Sequence, residues 1–132
     1  MKRVTGIGGV FFKSKDPKAL GEWYRKHLGM DLEEWGGVAF KWASADNPSG
    51  TGTTLWTPFM EDTTYFAPST ASFMINLRVA DLHAVLAALR EEGCAVDAKV
   101  DESEYGKFGW VMDPEGHRVE LWQPPDVTAA ST

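Results

Sequence analysis

The sequence predicts an α+β fold made of two strand–helix–strand–strand–strand modules, and three observations predict it. The chain repeats itself at an offset of 65 residues, almost half of its 132. With Asp16 laid on Asp81, Val10 meets Ile75, Phe12 meets Leu77, Lys13 meets Arg78, Ala19 meets Ala84 and Leu20 meets Val85. Each copy then continues into an amphipathic helix, and each helix is followed by short runs of strand-forming residues separated by turn signals.

The modules span about residues 4–60 and 71–124, and 132 residues are the length of one ordinary domain, so both halves are expected to share one packed body. Each opens with an extended β-branched or aromatic run, from about Thr5 to Phe12 and from about Ser72 to Val79. Asp16 and Asp81 follow as helix N-caps, the first with Pro17 at the opening helical position. Leu20, Trp23, Tyr24 and Leu28 recur at helical spacing, as do Leu82, Val85, Leu86 and Leu89. Gly29 and Gly93 stand where left-handed caps would end the two helices.

Further strands are expected near Asp31–Trp35, Gly37–Ala43 and Thr53–Pro58, then near Ala95–Asp101, Lys107–Met112 and His117–Gln123. Turns fall at Gly36-Gly37, at Asn47-Pro48 and at Asp113-Pro114-Glu115-Gly116. Met60 to Thr70 reads as the linker between modules, and Pro124 to Thr132 as a frayed tail.

Composition narrows the function. The formal charge of −6 argues against a nucleic-acid partner, since binding phosphates needs a basic face. No run is long and apolar enough to span a membrane, and the N-terminus lacks a signal-peptide pattern, so a cytoplasmic location is expected. Cys94 is alone, which excludes an intrachain disulfide and agrees with a reducing compartment. It reads as a small buried apolar side chain. His27, His83 and His117 read as surface residues. Gly6-Ile7-Gly8-Gly9 lacks the spacing of a phosphate loop.

Strand alternation sorts side chains between a helix-facing side and a cleft. Ile75, Leu77 and Val79 are assigned to the helix, which turns Met74, Asn76 and Arg78 to the cleft. Val10 and Phe12 likewise send Gly9 and Phe11 to the cleft. Val119 and Leu121 send Arg118, Glu120 and Trp122 there. Thr54 and Trp56 are expected to join them. Phe108 and Trp110 share a face that alternation does not assign. An aromatic cleft with sparse polar groups has the composition of a small-molecule pocket, and equally that of a filled core or a dimer interface. Glu120 is either a structural partner of Arg78 or Arg118, or an unpaired carboxylate able to act as general base or cation anchor.

The tandem module, the run Trp23-Tyr24-Arg25-Lys26-His27-Leu28-Gly29-Met30 and the closing segment from Asp113 to Trp122 resemble the glyoxalase, bleomycin-resistance and extradiol-dioxygenase (vicinal oxygen chelate) superfamily. The resemblance covers about residues 4–124. It implies a single glyoxalase-like domain over residues 1–132, with a curved, incompletely closed eight-stranded mixed sheet and helices outside. It also implies a homodimer, with or without exchanged modules. The superfamily's metal ligands would fall on Gly9, near Trp56, on Met74 and on Glu120. Only Glu120 among these offers a donor suited to a hard divalent ion, so neither metal nor other cofactor is expected.

The reading is a metal-free protein that binds a small hydrophobic, aromatic or cationic molecule through Phe11, Trp56, Met74, Asn76, Arg78, Trp110, Glu120 and Trp122. Its alternatives are an enzyme and a dimeric interaction module without ligand. The enzyme would be a metal-dependent lyase, isomerase or dioxygenase with displaced ligands, or a cofactor-free one with Glu120 as its catalytic residue.

Overall fold

The computed structural model describes residues 3–44 and 47–125, without the side chains of 44 and 47–51. In chain order the elements are β1 (Val4–Ser14), α1 (Pro17–Leu28), β2 (Val38–Ser44), β3 (Asn47–Met60), β4 (Phe73–Val79), α2 (Leu82–Glu91), β5 (Ala95–Val96), β6 (Asp101–Ser103), β7 (Gly106–Met112) and β8 (Arg118–Gln123). All eight strands belong to one open mixed sheet in the order β2-β3-β1-β4-β8-β7-β5, with β6 also on β7.

Both helices start as their sequences predict. Asp16 accepts from the Ala19 N–H at 3.0 Å and Asp81 from the Ala84 N–H at 3.1 Å, each satisfying one donor of the first turn. Gly29, at φ 68°, closes α1. Gly93, at φ 83°, follows the last residues of α2.

The halves meet along β1 and β4, which pair antiparallel, and this seam is symmetric. The 65-residue offset carries Gly9 onto Met74 and Phe11 onto Asn76. The observed cross-strand pairs are Gly9 with Asn76 and Phe11 with Met74, which is what a two-fold axis between the strands requires. On the flanks β3 runs parallel to β1 and β8 parallel to β4.

Helices cover one face. Val79, Leu82, Val85, Leu86 and Leu121 form a buried cluster there, with Val119, Leu77 and Val111 packed against it. The opposite, inner face carries a second cluster of Phe11, Phe66, Met74 and Trp110.

Several expectations are corrected. Asp31–Trp35 is no strand: the Glu33 N–H bonds the Gly37 carbonyl and the Gly36 N–H bonds Glu33, so a tight turn stands there. Its three acidic residues have no sheet face to occupy, while Leu32 packs against Gly21 and the Trp35 ring lies against Gly37. The expected strand Ala95–Asp101 is split into β5 and β6. Asn47 and Pro48 belong to β3, so the turn expected there is absent; residues 45–46 and the tail from 126 lie outside the described residues. Trp23 and Leu28 of α1 are half exposed or more, because this helix covers little of the sheet. Cys94 is exposed, since it leaves the helix at the Gly93 turn rather than entering the core.

Candidate functional site

Glu120 sits at the centre of the inner face and is 2% exposed. Val119 and Leu121, its neighbours on β8, pack toward α2, and alternation therefore turns Glu120 inward. Three neutral groups donate to its carboxylate. Asn76 Nδ2 reaches Oε1 at 2.7 Å, and Trp110 Nε1 reaches Oε2 at 2.9 Å. The Tyr65 hydroxyl donates to the same Oε2. Two of these donors come from strands beside β8, Asn76 from β4 and Trp110 from β7. Tyr65 comes from the connection between the halves. Burial, with the adjoining Glu120 charge, pushes the Tyr65 phenol well above its ordinary value, so it keeps its proton and donates.

No arginine pairs with Glu120 among the described hydrogen bonds and ion pairs. Arg118 lies instead over the Trp110 ring at 4.7 Å and over the Tyr65 ring at 5.8 Å. Its guanidinium donates to the Tyr65 carbonyl at 2.5 Å and approaches Asp97 at 3.4 Å. Asp97 is held below its ordinary value, chiefly by the Lys99 N–H and then by Arg118. Arg78 donates to the Thr5 hydroxyl at 3.3 Å and lies over the Trp42 ring at 5.7 Å. Burying a carboxylate without a cation is costly, and only this full set of hydrogen bonds offsets it.

The structure brings Phe11, Met74, Asn76, Trp110 and Glu120 to one place. Trp110, left unassigned by alternation, points inward and is 2% exposed. Arg78 and Trp122 share the same face further along, as cross-strand partners. Trp122 stacks with Phe108 at 6.4 Å and donates to the Tyr105 carbonyl at 2.8 Å. Gly8 is the extra residue where the β1–β4 register shifts. A Cβ there would lie 2.2 Å from Asn76 Oδ1 and 3.0 Å from the Trp122 ring, so this close approach requires glycine.

Trp56 is elsewhere. It pairs with Val10, just as helix-facing Val119 pairs with Ile75, and its ring packs on Tyr24 of α1 at 4.7 Å and on Phe12 at 5.2 Å. The inner-face counterpart of Glu120 is Thr57, the partner of Phe11. A shift of one residue exchanges the two faces of a strand, and the long β3 takes its register from β1 rather than from an estimated length.

Sequence reasoning missed Tyr65 and Phe66, assigned to a linker. Phe66 is fully buried in the inner-face cluster and Tyr65 caps Glu120. Two adjacent aromatics in a polar connection were the available signal.

A model of the glyoxalase-like domain matches residues 9–122, and the chain belongs to that family. It is similar in fold to methylmalonyl-CoA epimerase from Mycobacterium tuberculosis, with 22% identity, a TM-score of 0.64, and coverage of 98% of this chain and 95% of that one. A Streptomyces coelicolor methylmalonyl-CoA epimerase variant in complex with 2-nitronate-propionyl-CoA gives 20%, 0.67, 93% and 99% in the same order. A glyoxalase/bleomycin resistance protein/dioxygenase superfamily member from Vibrio splendidus 12B01 gives 13%, 0.58, 89% and 97%. At these identities the likeness is one of fold. No curated protein matches the sequence.

Proposed function

We propose that this protein binds a small hydrophobic or aromatic molecule on its inner face, without metal, and that Glu120 is the polar anchor. The observation that carries the reading is the buried Glu120 carboxylate, set among aromatic rings and held by neutral donors alone. A fold needing only to fill this space would be served more cheaply by an apolar side chain. Asn76 Oδ1 and Arg78 Nε, both on β4, are buried without hydrogen-bond partners, the former packed against Gly8.

The donor set does not fit a divalent metal. The superfamily positions hold Gly9, Thr57, Met74 and Glu120, and among the described residues no three His, Cys, Asp or Glu side chains gather. An enzyme using Glu120 as general base would need a second reactive group opposite, where Thr57 offers only a hydroxyl. Binding is therefore preferred over turnover. The exposed Trp23, Leu28, Trp35 and Phe40 of the first half support a homodimer as the assembled form. The lone cysteine favours a cytoplasmic home.

Elemental analysis and ligand titration test this reading. The purified protein should carry well under one equivalent of zinc, iron, nickel or manganese, with a chelator leaving its melting temperature unchanged. Aromatic compounds should quench tryptophan fluorescence saturably, and Glu120→Gln should weaken them by about 1.5–3 kcal/mol, the range for a hydrogen bond to a charged group. Stoichiometric metal would overturn the metal-free part. A sedimentation mass of 14.6 kDa at micromolar concentration would overturn the dimer.

A further inference from the structure

The inner face already holds an aromatic ring, and the ring belongs to the chain. Tyr65 lies outside any strand, in the connection of residues 61–72, and 38% of it is exposed. Its ring stacks on Phe59 at 5.8 Å with an interplanar angle of 7° and meets Trp110 edge-on at 6.5 Å. The Arg118 guanidinium lies over the ring at 5.8 Å, and the hydroxyl donates to Glu120. Two aromatic walls, a cation above and a carboxylate acceptor at the end form a complete receptor for a phenol.

The three donors to Glu120 differ in how they can leave. Asn76 and Trp110 are 3% and 2% exposed, so neither side chain can turn away without emptying the packed inner face. Tyr65 can swing out about its own side-chain torsions. Phe66 beside it is fully buried among Phe11, Met74 and Trp110, so the connection stays anchored when Tyr65 departs. A cavity of about 190 Å³ lined by Pro68, Asp97, Trp110, Met112 and Arg118 shares Trp110 and Arg118 with the surroundings of the Tyr65 ring.

We infer that Tyr65 is a built-in stand-in for the ligand, and that the ligand is a neutral aromatic bearing a hydroxyl or N–H donor. Such a molecule takes the place of Tyr65 between Phe59 and Arg118 and donates to Glu120. This rests on the proposed binding function and narrows it. An aromatic carboxylate is repelled by Glu120. An aromatic ammonium meets Arg118 above the ring. A bare hydrocarbon leaves a buried carboxylate oxygen short of one donor.

Titration of p-cresol, toluene and benzylamine into the wild-type chain, Tyr65→Phe and Tyr65→Ala tests it. The readouts are tryptophan fluorescence and the indole N–H resonance of Trp110. Tyr65→Phe keeps the ring and removes only its hydrogen bond, so the test survives if Tyr65→Ala fails to fold. For p-cresol the affinity should rise from wild type through Tyr65→Phe to Tyr65→Ala, by about tenfold or more overall. The Trp110 resonance should shift in each, and toluene and benzylamine should bind Tyr65→Ala about tenfold more weakly than p-cresol. Equal p-cresol affinity in wild type and Tyr65→Phe would show that the Tyr65 hydrogen bond does not compete, and would overturn the inference. So would toluene matching p-cresol on Tyr65→Ala, which would mark a mere cavity. Saturable binding that leaves Trp110 unmoved would refute this inference while the binding function stood. No binding by any form would end both.

Discussion

The two halves share a topology and divide the work unequally. On the inner face the first presents Gly9, Phe11 and Thr57 where the second presents Met74, Asn76 and Glu120. One set has no ionisable group and the other holds a buried carboxylate with its amide partner. Their helices differ in the same direction. Leu82, Val85 and Leu86 of α2 are buried, while Trp23 and Leu28 of α1 are 52% and 61% exposed. A duplicated module thus keeps its backbone pairing while one copy concentrates the polar site and the tight core. The other carries the open apolar surface.

That contrast can be broken most forcefully at the core. Leu86→Ala, in the second-half cluster and 1% exposed, should cost about 2–5 kcal/mol in urea denaturation. Phe40→Ala, on a first-half strand and 48% exposed, should cost well under ~1 kcal/mol. Comparable losses would show that the first half is as tightly built as the second.

The mirrored polar positions come next. Glu120→Gln should destabilise the free protein by about 1–3 kcal/mol, since an amide donor would face the donors of Asn76, Tyr65 and Trp110. Thr57→Val should cost less than ~1 kcal/mol. An equal cost at Thr57 would remove the asymmetry of the inner face.

Where the halves are alike, they should respond alike. Asp16→Ala and Asp81→Ala each remove an N-cap of the same geometry and should each cost about 1 kcal/mol by thermal denaturation. A large difference would mean that α1 and α2 depend on their caps unequally.

The smallest effect is an acid response of the second half. Asp113 is held below its ordinary value, first by the His117 N–H, then by the His117 ring and the Glu115 N–H. A carboxyl lowered in the folded state stabilises above its unfolded value and loses that contribution as pH falls. The melting temperature should therefore begin to drop below about pH 4. Asp113→Asn should flatten part of that drop. The first-half turn from Glu33 to Gly37 is joined by backbone hydrogen bonds that do not titrate in this range.

By itself the sequence determined the duplication, both capped helices and the inward direction of Phe11, Met74, Asn76 and Glu120. These follow from short-range rules: an aspartate three residues before the N–H it caps, a glycine after a helix, alternation along a strand whose start is marked. The tertiary structure decided the rest. Trp56 faces α1 because β3 takes its register from β1 over a long strand, and one residue of offset reverses every side chain. Glu120 is capped by Tyr65 rather than paired with an arginine, and Phe66 fills the inner face, because a connection without periodicity folds back onto it. Local pattern carries no term for that contact. It arises only when an aromatic pair distant in the chain meets apolar surface that no helix covers.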